Sequence, residues 1–237
     1  MKTFISLPKK LLNCSILFFL VISSLTIAQD DQNSAEQRLH KLHIQGRVAD
    51  GRYYSYRDLF SLALPSTSNT AEMEDFYAAP NVGGVAFFNQ AGFLLKLEID
   101  ALIPEITYLI ANHPEVKHEI LDALFYEVLL PQMKVTVPKM HLLYEEKVSF
   151  AKGEKALFAV IDLPETATLV DLNTGRNLDS KRGFLLFFTD DNKQLVNLSM
   201  QDRPSLIPTV AEAAKARLNE RLFNHLIQYQ STFRLEH

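Results

Sequence analysis

Residues 182–198 read RGFLLFFTDDNKQLVNL, which is two apolar runs on either side of a polar turn. Short apolar runs bounded by turn residues are typical of buried strands, and a short polar connection between them favours a hairpin. We therefore predict strands at 183–189 and 195–200 that pair around residues 190–193.

Further strands are predicted earlier in the chain, at 54–64, 82–88, 93–99, 141–150, 156–163 and 168–172. Within 93–99, Phe93, Leu95 and Leu97 alternate with Leu94 and Lys96, and this period of two is typical of a half-buried strand. Residues 66–80 are rich in Ser, Thr, Asn and acids, and they predict an exposed loop. Short turns between most strands indicate a mainly antiparallel sheet.

Two amphipathic helices are predicted to cover this sheet. The first runs from 104 to about 130 and carries two adjacent i,i+4 rows on one apolar face: Val116, Ile120, Leu124, Val128 and Leu121, Phe125, Leu129. Pro131 is expected to end it, since proline breaks a helix interior. The second runs from 204 or 205 to about 229, with Leu218, Leu222 and Leu226 on one side. The predicted fold class is α+β, a mainly antiparallel sheet with two long helices packed against it.

The N-terminus has the three parts of a secretory signal peptide: Lys2, Lys9 and Lys10, then an apolar centre at 16–22, then Thr26 and Ala28 before a cut at Gln29. The uncharged run 11–28 is also long enough to span a bilayer, so a membrane anchor that stays uncut is the alternative. We predict a signal peptide at 1–28, a polar linker at 29–51 and a single α+β domain at 52–237.

Composition narrows the classes of function. Lys and Arg number 24 and Asp and Glu 28, and this net charge of −4 is the wrong sign for a general nucleic-acid binder. The chain has 1 Cys, Cys14, which leaves with the signal peptide. A cysteine-free mature chain has no thiolate nucleophile and no Cys-ligated zinc, and it suits a bacterial periplasm.

Motifs for catalysis and cofactors are weak or missing. The sequence contains no G-x-G-x-x-G, no P-loop and no G-x-S-x-G elbow. Ser149 and Lys152 fit S-x-x-K, but they run from a predicted strand into a turn, where the lysine does not lie beside the serine. We therefore predict no catalytic residue and no cofactor, with a hydrolase whose site is dispersed along the chain as the alternative.

Two pairs of side chains, each with at least one histidine, are candidates for metal ligands. His118 and Asp122 share one helix face in a variant of H-E-x-x-H, but this is the polar face and a third ligand is not evident. His40 and His43 lie at i,i+3 among charges near the mature N-terminus. Surface positions explain both pairs, and we predict no bound metal.

The most informative polar run is 171–183, a mixed-charge connection between two apolar strands that includes Arg176, Asp179, Lys181 and Arg182. One interpretation is a solvated hairpin. The other is a recognition loop in which Arg176 and Arg182 hold a carboxylate or phosphate of a partner.

Five stretches together resemble a known family: LALP at 62–65, GGVAFF at 83–88, EVLLP at 127–131, VSFAKGEKALFAVIDLP at 148–164 and the hairpin at 182–198. In this order, and followed by a C-terminal helix, they are similar to the Mog1/PsbP/DcrB type of α/β/α sandwich over about residues 50–230. The resemblance implies a non-catalytic accessory or binding protein, often of an envelope or lumenal compartment. It carries no site residue onto this chain.

The expectation is therefore an exported, non-catalytic binding or accessory protein of the periplasm. Its partner would be an envelope protein or a small ligand, with no nucleic acid. Contact with the membrane would come only through an uncleaved signal segment.

Overall fold

The computed structural model describes residues 46–65, 77–81, 83–88, 94–150, 154–170, 177–201 and 212–236. Its strands are β1 (Gly46–Ala49), β2 (Arg52–Ser55), β3 (Phe60–Ala63), β4 (Tyr77–Asn81), β5 (Gly84–Phe88), β6 (Leu94–Ala101), β7 (His141–Ser149), β8 (Lys155–Val170), β9 (Asn177–Phe188), β10 (Gln194–Gln201) and β11 (Arg234–Leu235). Its helices are α1 (Pro104–Asn112), α2 (Lys117–Ala123), a π-helical turn (Leu124–Leu129), α3 (Leu130–Thr136) and α4 (Glu212–Thr232).

These strands form two antiparallel sheets. The large sheet has the order β4-β5-β6-β10-β9-β8-β7, and the small sheet has the order β1-β2-β3-β11. The predicted hairpin at 182–198 is confirmed as β9 and β10, which pair from Leu195 with Phe188 to Gln201 with Arg182. β10 also pairs with β6, so this hairpin lies inside the large sheet.

Each face of the large sheet has its own cover. On the helical face, buried residues of α1, α2 and the π-helical turn pack on side chains such as Leu157, Ile161 and Leu186. On the opposite face, which we call the small-sheet face, α4 and the small sheet pack on side chains such as Phe158 and Leu185. The chain is thus an α+β sandwich, and the predicted fold class is confirmed.

The C-terminal helix packs where its apolar stripe predicts. Leu222 and Leu226 are both 0% exposed and belong to the core of the small-sheet face. A Cβ at Gly183 would lie 3.1 Å from Leu226 Cδ1 and 3.2 Å from Leu222 Cβ. Glycine at 183 therefore lets the helix approach β9 closely.

The first helical region differs from its prediction at Pro131. The helix continues to Thr136, with Pro131 in the first turn of α3. The N–H of Leu130 donates to the carbonyl of Phe125, an i→i−5 bond of the π-helical turn. This wider turn accommodates a proline ring that would clash in a regular helix.

Three strand predictions also change. The segment predicted as one strand at 54–64 is split, because a turn at Tyr56–Asp58 separates β2 from β3. The predicted loop at 66–80 overlaps β4, an edge strand in which Pro80 is tolerated. The strands predicted at 156–163 and 168–172 fall largely within one long strand, β8, with shifts of register between Leu163 and Val170.

The N-terminal predictions mostly lie outside the described residues, which begin at Gly46. The predicted signal peptide at 1–28 and the histidines His40 and His43 are among them. The predicted linker at 29–51 overlaps β1, which pairs with β2. In the described ranges, no helix is long and apolar enough to cross a bilayer.

Candidate functional site

The residues proposed for a recognition loop are not on a common loop. Arg176 lies outside the described residues, whereas Asp179, Lys181 and Arg182 belong to β9. Lys181 and Arg182 are consecutive, so their side chains lie on opposite faces of the sheet. Lys181 Nζ lies 3.2 Å from Asp162 Oδ1, and Arg182 Nη2 donates to Gln201 Oε1 over 2.9 Å. Their role in recognition stays a prediction.

Arg182 belongs to a buried polar network on the helical face. Its members lie on β6, β10 and β9: Lys96, Glu98, Asn197, Ser199, Gln201, Ser180 and Arg182. Lys96 forms an ion pair with Glu98, which accepts a 3.1 Å hydrogen bond from Asn197 Nδ2. Burial lowers the pKa of Arg182 to about 10, and the charge of Glu98 opposes this shift. Arg182 therefore stays charged near neutral pH, and the network joins three central strands.

His118 and Asp122, which were predicted to bind no metal, have other partners. His118 Nε2 lies 3.0 Å from the carbonyl of Val148, and Asp122 Oδ2 lies 2.5 Å from Lys147 Nζ. Ser149 Oγ accepts a hydrogen bond from Lys155, while Lys152 lies outside the described residues. Within the described part of the chain, no three His, Asp or Glu side chains lie close enough to share a metal.

A different surface, on the outside of the small sheet, combines charge with aromatic rings. Arg47 on β1 is in register with Tyr54 on β2, Tyr54 with Ser61 on β3, and Ser61 with Arg234 on β11. Residues in register share a face of the sheet, and the buried neighbour Tyr53 points the other way, into the core. The guanidinium of Arg47 stacks over the Tyr54 ring, 4.1 Å from its centroid.

The turn between β2 and β3 adds the side chains of Tyr56, Arg57 and Leu59 to this surface. Arg57 and Asp58 have φ values of 62° and 52°, so two successive non-glycine residues are left-handed. Such a conformation costs about 1–3 kcal/mol per residue. Tyr56 and Leu59, on either side, are 58% and 61% exposed, and Arg57 lies 5.4 Å from the Tyr56 ring centroid.

Neighbouring contacts hold this turn in place. Ser55 Oγ accepts a hydrogen bond of 2.9 Å from the N–H of Phe60, which closes the turn. Asp58 Oδ1 lies 3.3 Å from Arg47 Nη2, which ties the turn to β1. We call the outer surface made by Arg47, Tyr54, Tyr56, Arg57, Leu59 and Arg234 the arginine–tyrosine face.

Arg52 connects this face to the C-terminal helix. Its Nη2 donates to the carbonyl of Thr232 over 2.5 Å and to Ser61 Oγ over 2.8 Å. Ser61 in turn donates to Glu236 Oε1 over 2.6 Å. A cation at the end of a helix satisfies a carbonyl that lacks an intrahelical partner. The small sheet is thereby fixed to the core by polar contacts as well as by packing.

The sequence interpretation missed this face for two reasons. It joined β2 and β3 into one strand, and it placed β1 in a linker although Asp50-Gly51, between β1 and β2, is a typical signal for a tight hairpin turn and both residues have positive φ. Arg234 could not be found from local sequence, because β11 joins the small sheet from the far end of the chain.

Comparisons with known proteins concern the fold. No family model matches the chain, and no curated protein matches it. Among solved structures, the Ran-binding protein Mog1p of Saccharomyces cerevisiae is similar at a TM-score of 0.40 and 12% identity, over 80% of this chain and 96% of that chain. A mutant of Mog1 is similar at a TM-score of 0.39 and 12% identity, over 79% of this chain and 96% of that chain.

A protein of Bacteroides thetaiotaomicron VPI-5482 gives a TM-score of 0.34 at 12% identity, and the match covers 79% of this chain but 48% of that chain. At 12% identity, the likeness to Mog1 concerns the fold alone.

Proposed function

We propose that this protein is an exported, non-catalytic binding protein of the cell envelope, and that it holds a partner protein on the arginine–tyrosine face. The observation that carries the proposal is the left-handed pair Arg57 and Asp58, which displays Tyr56 and Leu59 in solvent. Backbone strain of this kind clusters at functional sites.

The composition of the face supports binding. Tyrosine and arginine are enriched in protein interfaces and among the residues that contribute most to affinity, and charged side chains are more common at the rim. Here Tyr56 and Leu59 offer apolar area, while Arg47 and Arg57 offer planar donors.

The location in the envelope is proposed from residues 1–28. Three lysines, an apolar centre and small residues before Gln29 support export with cleavage. Intact-mass measurement of protein from an envelope fraction tests this, and the expected mass is that of a chain starting at or near Gln29. A measured mass that includes residues 1–28 would show that this segment is not cleaved. The segment would then be interpreted as a membrane anchor.

The binding role is tested with two matched variants. Purified protein, immobilised on beads, is incubated with envelope extract, and captured proteins are identified for wild type, Tyr56→Ala and Tyr108→Ala. Tyr108 is the control because it is 72% exposed and lies on α1, which covers the opposite face of the large sheet. We expect a protein captured by wild type and by Tyr108→Ala to be lost from Tyr56→Ala.

Thermal melts check that both variants fold. Capture that is equal for Tyr56→Ala and wild type would mean that the partner binds elsewhere, and the arginine–tyrosine face would be abandoned as the site.

A further inference from the structure

We infer that the segment bound by this face is an acidic peptide in extended conformation, whose carboxylates contact Arg47 and Arg234. The inference rests on the proposed function for the location of the site, and it adds the chemistry of the partner.

The guanidinium groups of the arginine–tyrosine face have N–H donors available to bind a ligand. Arg57 has the Tyr56 ring beside it, and among the described residues neither Arg57 nor Arg234 forms an ion pair with a carboxylate. Arg47 forms an ion pair with Asp58, but both side chains of that pair are about half exposed. The Arg47 guanidinium is therefore accessible to a ligand. An accessible guanidinium binds carboxylates through two parallel hydrogen bonds, which are stronger than neutral ones.

The register of the strands in the small sheet sets the spacing expected between acidic residues of the partner peptide. Arg47 and Arg234 are in one row, on β1 and β11, with Tyr54 and Ser61 between them. Strands lie about 4.8 Å apart, so three spacings separate the two arginines by about 14 Å. An extended peptide advances about 3.4 Å per residue, so acids four residues apart would reach both arginines. The residue midway between these acids would lie between Tyr54 and Ser61.

The face fits a peptide better than an anionic membrane. Asp58 and Glu236 lie among the arginines and weaken the field that would attract them to a charged surface from a distance. A peptide carboxylate that reaches an arginine gains two parallel, charge-assisted hydrogen bonds, which a diffuse surface charge does not supply.

The test uses a defined probe. A short fluorescein-labelled peptide of Thr and Val, with Glu at two positions four residues apart, is titrated with the protein, and binding is followed by fluorescence anisotropy. We expect the same peptide with Gln at both positions to bind about tenfold more weakly or worse. Arg47→Gln and Arg234→Gln should each weaken binding of the Glu peptide about tenfold, because the strand register places one Glu at each of these arginines.

Lys134→Gln is the control, because it removes the same charge from an exposed position on α3, in the opposite layer. It should leave the affinity unchanged. The inference would be overturned if the Glu and Gln peptides bound equally well. It would also be overturned if all three variants bound the Glu peptide as tightly as wild type. Binding to phosphatidylglycerol vesicles that depends on Arg234 while the peptide does not bind would overturn it as well. If the peptide fails but capture from envelope extract still requires Tyr56, the acidic peptide is wrong and the proposed function stands.

Discussion

The Tyr126 hydroxyl donates a hydrogen bond to Glu145, which joins the π-helical turn to β7. This bond to a carboxylate, together with some desolvation, raises the pKa of Tyr126 to about 12. A phenolate beside Glu145 would place two negative charges in contact, so the protonated form is favoured. Because the folded pKa is above the usual value of about 10, the stabilisation is complete below pH 10 and is lost as the pH rises through 12.

The prediction at this scale concerns Tyr126 and its partner. In protein labelled with ¹³C at the tyrosine ring, the Tyr126 signal should titrate near pH 12 by NMR, and in Glu145→Gln it should shift down toward the usual value of about 10. An unchanged midpoint in Glu145→Gln would show that burial, rather than the carboxylate, sets this pKa.

The buried polar network is also a feature of individual residues. Lys96 and Glu98 are both 7% exposed, in a sheet whose core is otherwise mostly apolar. Burying charges is costly unless they are paired and hydrogen-bonded, and here Asn197 completes the pair. The sequence showed these residues as the polar half of alternating strands, which is a pattern more typical of a solvated face.

At the scale of elements, the packing of α4 and the conformation of the turn between β2 and β3 can each be tested directly. The helix contributes Leu222 and Leu226 to the core of the small-sheet face, and Gly183 on β9 allows its close approach. The turn carries strain that the helix does not, because Arg57 and Asp58 are left-handed. Changes in the helix should therefore destabilise the protein, whereas a glycine in the turn should not.

For the helix, Leu222→Asp should lower the free energy of unfolding sharply. The lost apolar packing alone costs about 2–5 kcal/mol, and a buried carboxylate adds to that cost. Typical domains have about 5–15 kcal/mol of stability, so the variant should melt far below wild type or not fold. Glu220→Ala, two positions away on the exposed side, should change stability by less than about 0.5 kcal/mol. Thermal melts of both variants decide, and equal melting of Leu222→Asp and wild type would contradict the packing of α4.

For the turn, Arg57→Gly should melt at about the wild-type temperature, while Arg57→Val should melt lower. Glycine adopts positive φ without strain, and this gain offsets its greater entropy in the unfolded chain. A β-branched residue is a poor fit at φ 62°, at a cost of about 1–2 kcal/mol. If Arg57→Val were as stable as wild type in chemical denaturation, the left-handed turn would not be the conformation in solution.

At the scale of the whole molecule, Arg52 joins the two ends of the described chain. Its guanidinium bridges Ser61 on β3 and the carbonyl of Thr232 at the end of α4. Glu236 accepts from Ser61 in the same cluster, so the small sheet and the C-terminus hold each other. These contacts also support the arginine–tyrosine face, which needs both β1 and β11.

Arg52→Gln should therefore lower the free energy of unfolding by about 1.5–3 kcal/mol, the range for hydrogen bonds of charged groups. Arg47→Gln removes the same charge from the same sheet but breaks an exposed ion pair, and it should cost less than about 1 kcal/mol. Denaturant unfolding of both variants makes the comparison. Equal effects would show that the link between Arg52 and α4 adds no stability.

The sequence by itself determined the features that depend on local spacing. The alternation at 94–99 located β6, the runs at 183–189 and 195–200 located the central hairpin, and the spacing of Leu218, Leu222 and Leu226 located the buried side of α4. These patterns are readable because each strand or helix must place its apolar side chains toward the core, at a period of 2 or 3.6 residues. The fold class followed from them.

Only the tertiary structure decided the features that depend on distant contacts. Pro131 lies inside a helical region because a π-helical turn makes room for its ring, and no local rule distinguishes that from a helix end. Lys181 and Arg182 were adjacent candidates in sequence, yet strand geometry places them on opposite faces. Arg47 and Arg234 lie on one face because β1 and β11 belong to the same sheet. Assembly of a sheet from segments that are distant in the chain leaves no periodic signal in the sequence.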